Sequence, residues 1–146
     1  MSGSMLMDAL QQFSAAAVTQ SQISHLAASM RDMPQLDVET THTHAPGIYV
    51  RTIHLPAGAT LVGKVHATEH MFVLSEGTLL VATEHGVVEL HAPYQAVCEA
   101  GTQRAGHCLT DVVCSNVHIN PTNETDMVRL EEMLITPTLE VAPWPG

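Results

Sequence analysis

Histidine is the residue type in this chain best suited to chemistry, because neutral imidazole ligates divalent transition metals. Residues 58–77 read GATLVGKVHATEHMFVLSEG and place Lys64, His66 and His70 at even spacing. Phe72 and Leu74 continue the same parity. Alternate residues of a strand share a face. An extended segment here would therefore carry Lys, His and His on one face and apolar side chains further along it. A polar cluster grading into a hydrophobic one suits the inside of a small barrel. On a straight strand His66 and His70 stand too far apart to share a metal, whereas a bend or a turn at Thr68 would bring them together. His107 and His118 are the candidates for a third ligand. His118 ends a run in which Cys114, Asn116 and His118 form a polar face and Val113, Ser115, Val117 and Ile119 a mostly apolar one. If the polar face lines a barrel, His118 joins the pocket; if it faces solvent, His118 is surface.

Other chemistries find less support. Nucleophilic catalysis needs Cys or Ser beside His with a third orienting group. His107 and Cys108 are adjacent in sequence, which on a strand sends them to opposite faces. Glu69, Glu76 and Glu84 sit near turns, where carboxylates are solvated. His42 and His44, in the run THTH, have the i, i+2 spacing that could supply ligands, but such a pair reads first as solvated loop. The three cysteines, Cys98, Cys108 and Cys114, are odd in number and show no CxxC spacing, as expected of reduced, buried thiols in a cytoplasmic protein.

The chain has 146 residues, one domain's worth. Its formal net charge is -10, and its five basic residues are Arg31, Arg51, Lys64, Arg104 and Arg129. With no basic run among them, direct nucleic-acid binding has no electrostatic footing. No Lys or Arg precedes Arg31 and no apolar run follows the start, so no signal peptide is expected. No apolar run is long enough to span a bilayer.

The elements that would position these residues follow from periodicity. Leu6, Leu10, Phe13 and Ala17 make one apolar helical stripe, and Ile23, Leu26 and Met30 a second out of phase with it, with a break near residues 19–21. Residues 5–31 thus read as two short helices or one kinked helix. They carry so little charge that they should pack on the rest of the chain or on a neighbouring subunit. Residues 32–47 read as a linker bracketed by Pro34 and Pro46. Seven or eight short strands follow, at 48–55, 61–65, 70–74, 78–83, 87–91, 95–99 and 111–119, with turns about every ten residues, the pattern of a sandwich or barrel. Asp126 or Thr125 can cap a helix to about Leu134, with Met127, Leu130 and Leu134 on one face. Residues 137–146, with three prolines and Trp144, read as an extended strap. The expected organisation is a helical arm and linker over 1–45, a β-barrel over 46–120, and a C-terminal helix and tail over 121–146.

Gly58, Lys64, His66, His70 and Gly77 resemble the first motif of the cupin family: Gly, five residues, His-x-His, three or four residues, Glu, six residues, Gly. His66 stands at the second His, Lys64 at the first, and His70 at the Glu. Aligned on Gly101, the second motif's positions hold Pro93, Glu99, Arg104 and Cys108, and only Gly101 agrees. The resemblance implies an all-β, cupin-like jelly-roll barrel with N-terminal helices and a short C-terminal helix. It also implies a turn between His66 and His70, since the family's Glu lies on the strand after a turn. A divalent transition metal would then be held by His66 and His70 with His107 or His118. Lys64 and Arg104, standing where the family has metal-binding His, imply a pocket for a carboxylate or phosphate, or else ion pairs with acids such as Glu69 or Asp111. The phrases GKVHATEH, HAPY, GTQRAGH and NVHINPTNETD are similar to small cupin-type proteins of tailed bacteriophages. That similarity implies a non-catalytic structural role: a homo-oligomer docked through its N-terminal helices into an assembly, cytoplasmic or in a virion. The rival expectation is a metal-dependent small-molecule enzyme or a small-anion sensor.

Overall fold

The computed structural model describes residues 38–63, 66–83, 86–101 and 104–134. The helices expected within 5–31, the C-terminal strap and Lys64 lie outside the described residues.

Among the described residues nine strands run β1 Glu39–Ala45, β2 Gly47–Leu55, β3 Thr60–Val62, β4 His70–Glu76, β5 Thr78–Thr83, β6 Gly86–His91, β7 Tyr94–Cys98, β8 Ala105–Cys108 and β9 Val112–Asn120. They form two antiparallel sheets, β1-β2-β9-β4-β7 and β3-β8-β5-β6. The expected all-β barrel architecture is present. The linker expected over 32–47 is corrected in its second half, where residues 39–45 form β1. Alternating threonines there favour the pleat, and an edge strand can stay polar because one side meets water. Pro46 and Gly47 turn β1 into β2, with Gly47 at φ +76°, a left-handed value that glycine adopts without steric cost. The short strand β8 has no alternating pattern, since all four of its residues are buried, and this hid it from a periodicity reading.

Register sets what faces inward. Leu55, Leu74, Leu79, Val81, Cys108, Val112 and Cys114 pack between the sheets as the apolar core. Ile53, Cys114, Leu74 and Tyr94 lie opposite one another across β2, β9, β4 and β7. Two residues along, the same face carries Arg51, Asn116, Phe72 and Ala96. Two further still, Tyr49 pairs with His118 and His70 with Cys98. The inner face therefore grades from apolar through mixed to imidazole, phenol and thiol. This is the gradient the parity of residues 66–74 implied.

Among the described residues one helix, α1 Met127–Leu134, closes the polar end. Asp126 caps it, its Oδ1 accepting from the Val128 and Arg129 amides at 2.9 and 3.1 Å. Leu130 and Leu134 are buried against Tyr49. Met127, expected on that buried face, is instead exposed at the first helical turn. Among the described residues no helix is long and apolar enough to cross a membrane.

Candidate metal centre

His66 forms an isolated bridge just before a bend at Ala67 and Thr68, and His70 opens β4 immediately after it. The bend is tied down on both sides: the Ala67 amide donates to the Leu134 carbonyl at 2.7 Å, and the Gly101 amide to the His66 carbonyl at 2.9 Å. It folds the two imidazoles face to face, with centroids 4.2 Å apart. His118 meets them from β9, at 5.2 Å from His66 and 4.9 Å from His70. One nitrogen from each of the three rings falls in a group spanning no more than 4.8 Å. With metal–nitrogen bonds of about 2.1 Å, three nitrogens sharing one ion stand roughly 3–3.6 Å apart, so the rings would draw together on binding it.

Burial keeps all three imidazoles neutral. It lowers His66 from 6.5 to about 3, helped by the neighbouring His70, His118 and Arg51. It lowers His118 to about 4, helped by His70 and Arg51. It lowers His70 as well, where a hydrogen bond to the Thr68 carbonyl works the other way and Arg104 adds to the lowering. Neutral imidazole is the ligating form, so no proton need leave at pH 7 for a metal to bind.

The hydrogen bonds fit the same chemistry. His70 Nδ1–H donates to the Thr68 carbonyl at 3.3 Å, which leaves the Nε2 lone pair available. The Nδ1 atoms of His66 and His118 are buried without a hydrogen-bond partner. Leaving a buried polar atom unpaired costs about 1–3 kcal/mol, and a coordinated cation would satisfy such a lone pair. By donor type, number and orphaned atoms, the residues fit a divalent transition metal.

The other site residues expected from sequence lie elsewhere. His107 is on β8 in the second sheet, paired with Thr60 and Leu80. Cys108 beside it points into the core, so His107 faces the other way, and its Nδ1 meets the Thr60 hydroxyl at 2.6 Å. Arg104 flanks the cluster, and its Nη1 donates to Cys98 Sγ at 3.2 Å. The ion pairs considered for it with Glu69 or Asp111 do not form; Asp111 Oδ1 accepts instead from the Ala57 amide. His42 and His44 lie not in a loop but on strand β1, exposed, where both stack on Tyr49 and His42 Nδ1 meets its hydroxyl at 2.7 Å.

Two residues of the site are not among the candidates that the sequence offers. Tyr49 is 2% exposed and stacks on His118. Arg51 shares its inward parity and lies within electrostatic range of His66 and His118. The alternation of β2 ending in Leu55 was the signal that could have found both.

No protein-family model matches this chain, and no curated protein matches it in sequence. Solved structures do resemble it. KdgF from Halomonas sp. superposes with a TM-score of 0.52 at 13% identity, over 65% of this chain and 88% of that one. A cupin superfamily protein from Desulfitobacterium hafniense gives 0.50 at 8% identity, over 63% and 85%. An acetylacetone dioxygenase from Acinetobacter johnsonii gives 0.48 at 14% identity, over 61% and 68%. At such identities the likeness to the first two shows the fold alone, a cupin jelly roll.

Proposed function

We propose that this cupin-fold barrel holds a divalent transition metal on His66, His70 and His118 and acts on a small molecule beside it. The observation that carries the reading is the convergence of three neutral imidazoles, two with orphaned buried nitrogens, at one end of the barrel. Three protein ligands leave coordination positions open, the arrangement of a catalytic site and not of a closed structural one. A metal bound there supplies a Lewis-acid centre with room for an outside ligand.

The protein's own residues do the rest. The Thr68 carbonyl holds the tautomer of His70. Tyr49 backs the ring of His118 and is itself clamped by Leu130 and Leu134, so α1 shields that side of the centre from water. Arg51 and Arg104 supply fixed positive charge on either side of the cluster.

The virion and assembly reading rests on phrases of the sequence and on the low charge of residues 5–31, whereas a pocket lined by imidazoles speaks for binding. A homo-oligomer is a second reading with an observation of its own. Ile48, Val97 and Ile119, on the outer face of the five-stranded sheet, are 42%, 53% and 72% exposed.

Cobalt(II) titration tests the site. One equivalent per chain, with a ligand-field spectrum abolished by His66→Ala, is the expected result. No spectrum at stoichiometric cobalt would remove the reading.

A further inference from the structure

The chain carries net charge -10 and only five Lys and Arg residues. Among the described residues two of these, Arg51 and Arg104, stand beside the three-histidine cluster. Arg51 shares a strand face with Tyr49, the register partner of His118, and Arg104 donates to the Sγ of Cys98, the register partner of His70. Among the described residues neither arginine has a carboxylate partner. The cluster itself contains no acid. A divalent ion on three neutral ligands between two guanidinium groups would leave the pocket strongly positive, so an anion entering it would find charge-assisted partners.

The placement of Arg51 says where that anion would sit. Its register partners are His42 and Asn116, and Phe72 stands on the other side of Asn116. This row lies between the imidazole row and the closed apolar floor, where Leu74 is 0% and Cys114 4% exposed. Arg51 faces inward yet remains exposed, so the barrel is open to solvent at this level. Adjacent same-face rows are about 7 Å apart along a strand. A small ligand can therefore reach from the metal to the level of Arg51, roughly one such spacing.

We propose that the site takes a small organic carboxylate of this length, its carboxyl group paired with the Arg51 guanidinium and its other end at the metal. The planar fork of arginine matches a carboxylate in two parallel hydrogen bonds. Asn116 offers an amide beside it, and Phe72 an apolar wall for the carbon chain. The inference rests on the metal-site reading for the ligand's second anchor, but the carboxylate pairing is Arg51's own.

Calorimetric titration of the cobalt-loaded full chain with glycolate, glycolamide and inorganic phosphate tests it. Glycolate should bind, and glycolamide, lacking the charge, should bind at least about tenfold more weakly. Arg51→Met should weaken glycolate by a similar factor while metal content stays unchanged. Arg51 is exposed, so this variant should fold, and circular dichroism checks that it does. Equal affinity for glycolate and glycolamide, preference for phosphate, or an unaltered affinity in Arg51→Met would overturn the proposal. The metal reading fails separately, by loss of cobalt stoichiometry in the wild type. In that event the same titration on metal-free protein decides the carboxylate question by its dependence on Arg51.

Discussion

The ring of Tyr49 lies against that of His118, centroids 5.9 Å apart and planes 15° from parallel, across the β2–β9 ladder. The two are register partners, and Tyr49 also packs with Leu130 and Leu134. One side chain therefore links the helix that closes the barrel to a ligand of the candidate metal. Tyr49→Ala should lower stability by about 3–5 kcal/mol, the usual cost of deleting a buried aromatic, and should weaken metal binding. Tyr49→Phe keeps the ring and loses only the bond to His42, so it should cost about 1 kcal/mol and keep its metal. Denaturant unfolding with metal analysis of both variants checks this; equal effects would show that the ring does not position His118.

Acid should destabilise the metal-free protein. His66 and His118 have folded-state values of about 3 and about 4, below the ordinary 6.5. As pH falls below 6.5 the unfolded chain takes up protons that the folded chain refuses, so the unfolded state gains. Stability is thus full above pH 6.5 and declines as pH drops towards 4 and 3. Urea midpoints at pH 7.5 and pH 5 should differ, the second being lower. Replacing His66 and His118 together by Gln should flatten that slope.

Gly77 turns β4 into β5 at φ +90°, and a Cβ there would collide with the Asp111 carbonyl and the Thr110 hydroxyl. Thr110 Oγ1 also accepts from the Thr78 amide at 2.9 Å, so the obstacle is held in place. Gly77→Ala should cost about 1–3 kcal/mol through backbone strain, more if the turn must shift. A thermal melt measures it, and a wild-type melting temperature would contradict the packing described at this turn.

At the start of α1, Asp126→Ala removes the acceptor for two backbone amides. A loss of about 1 kcal/mol is expected. Because the end of α1 holds the bend between His66 and His70 through Ala67, metal affinity should fall slightly too. Asp126→Asn, which keeps the side-chain oxygen, should restore most of both.

Much of this arrangement was legible in the chain. Parity along His70, Phe72 and Leu74 foretold a polar-to-apolar inner face, and alternation in residues 113–119 left His118 as a conditional member of it. What decided the condition was register, because only the pairing of Tyr49 with His118 and of Met71 with Val117 brings β9 beside β4 with that face inward. Single-strand periodicity carries no information about which strands meet. For the same reason His107 looked as good a ligand as His118: its chain position gives no hint that β8 belongs to the other sheet. The strand β1 was hidden by its polarity, since an edge strand lacks the apolar alternation that announces a buried one. Arg51 escaped attention because its meaning lies in its neighbours across the sheet and not in its neighbours along the chain.

The most direct test is metal content by elemental mass spectrometry, compared between the wild-type protein, His118→Gln and His107→Gln. Both positions are buried histidines, at 3% and 5% exposure, so unfolding alone would affect them alike. The account predicts close to one divalent metal per chain in the wild type and in His107→Gln, and loss of it in folded His118→Gln. Metal retained in His118→Gln, or absent from the wild type after reconstitution with zinc, cobalt, iron and manganese in turn, would contradict it.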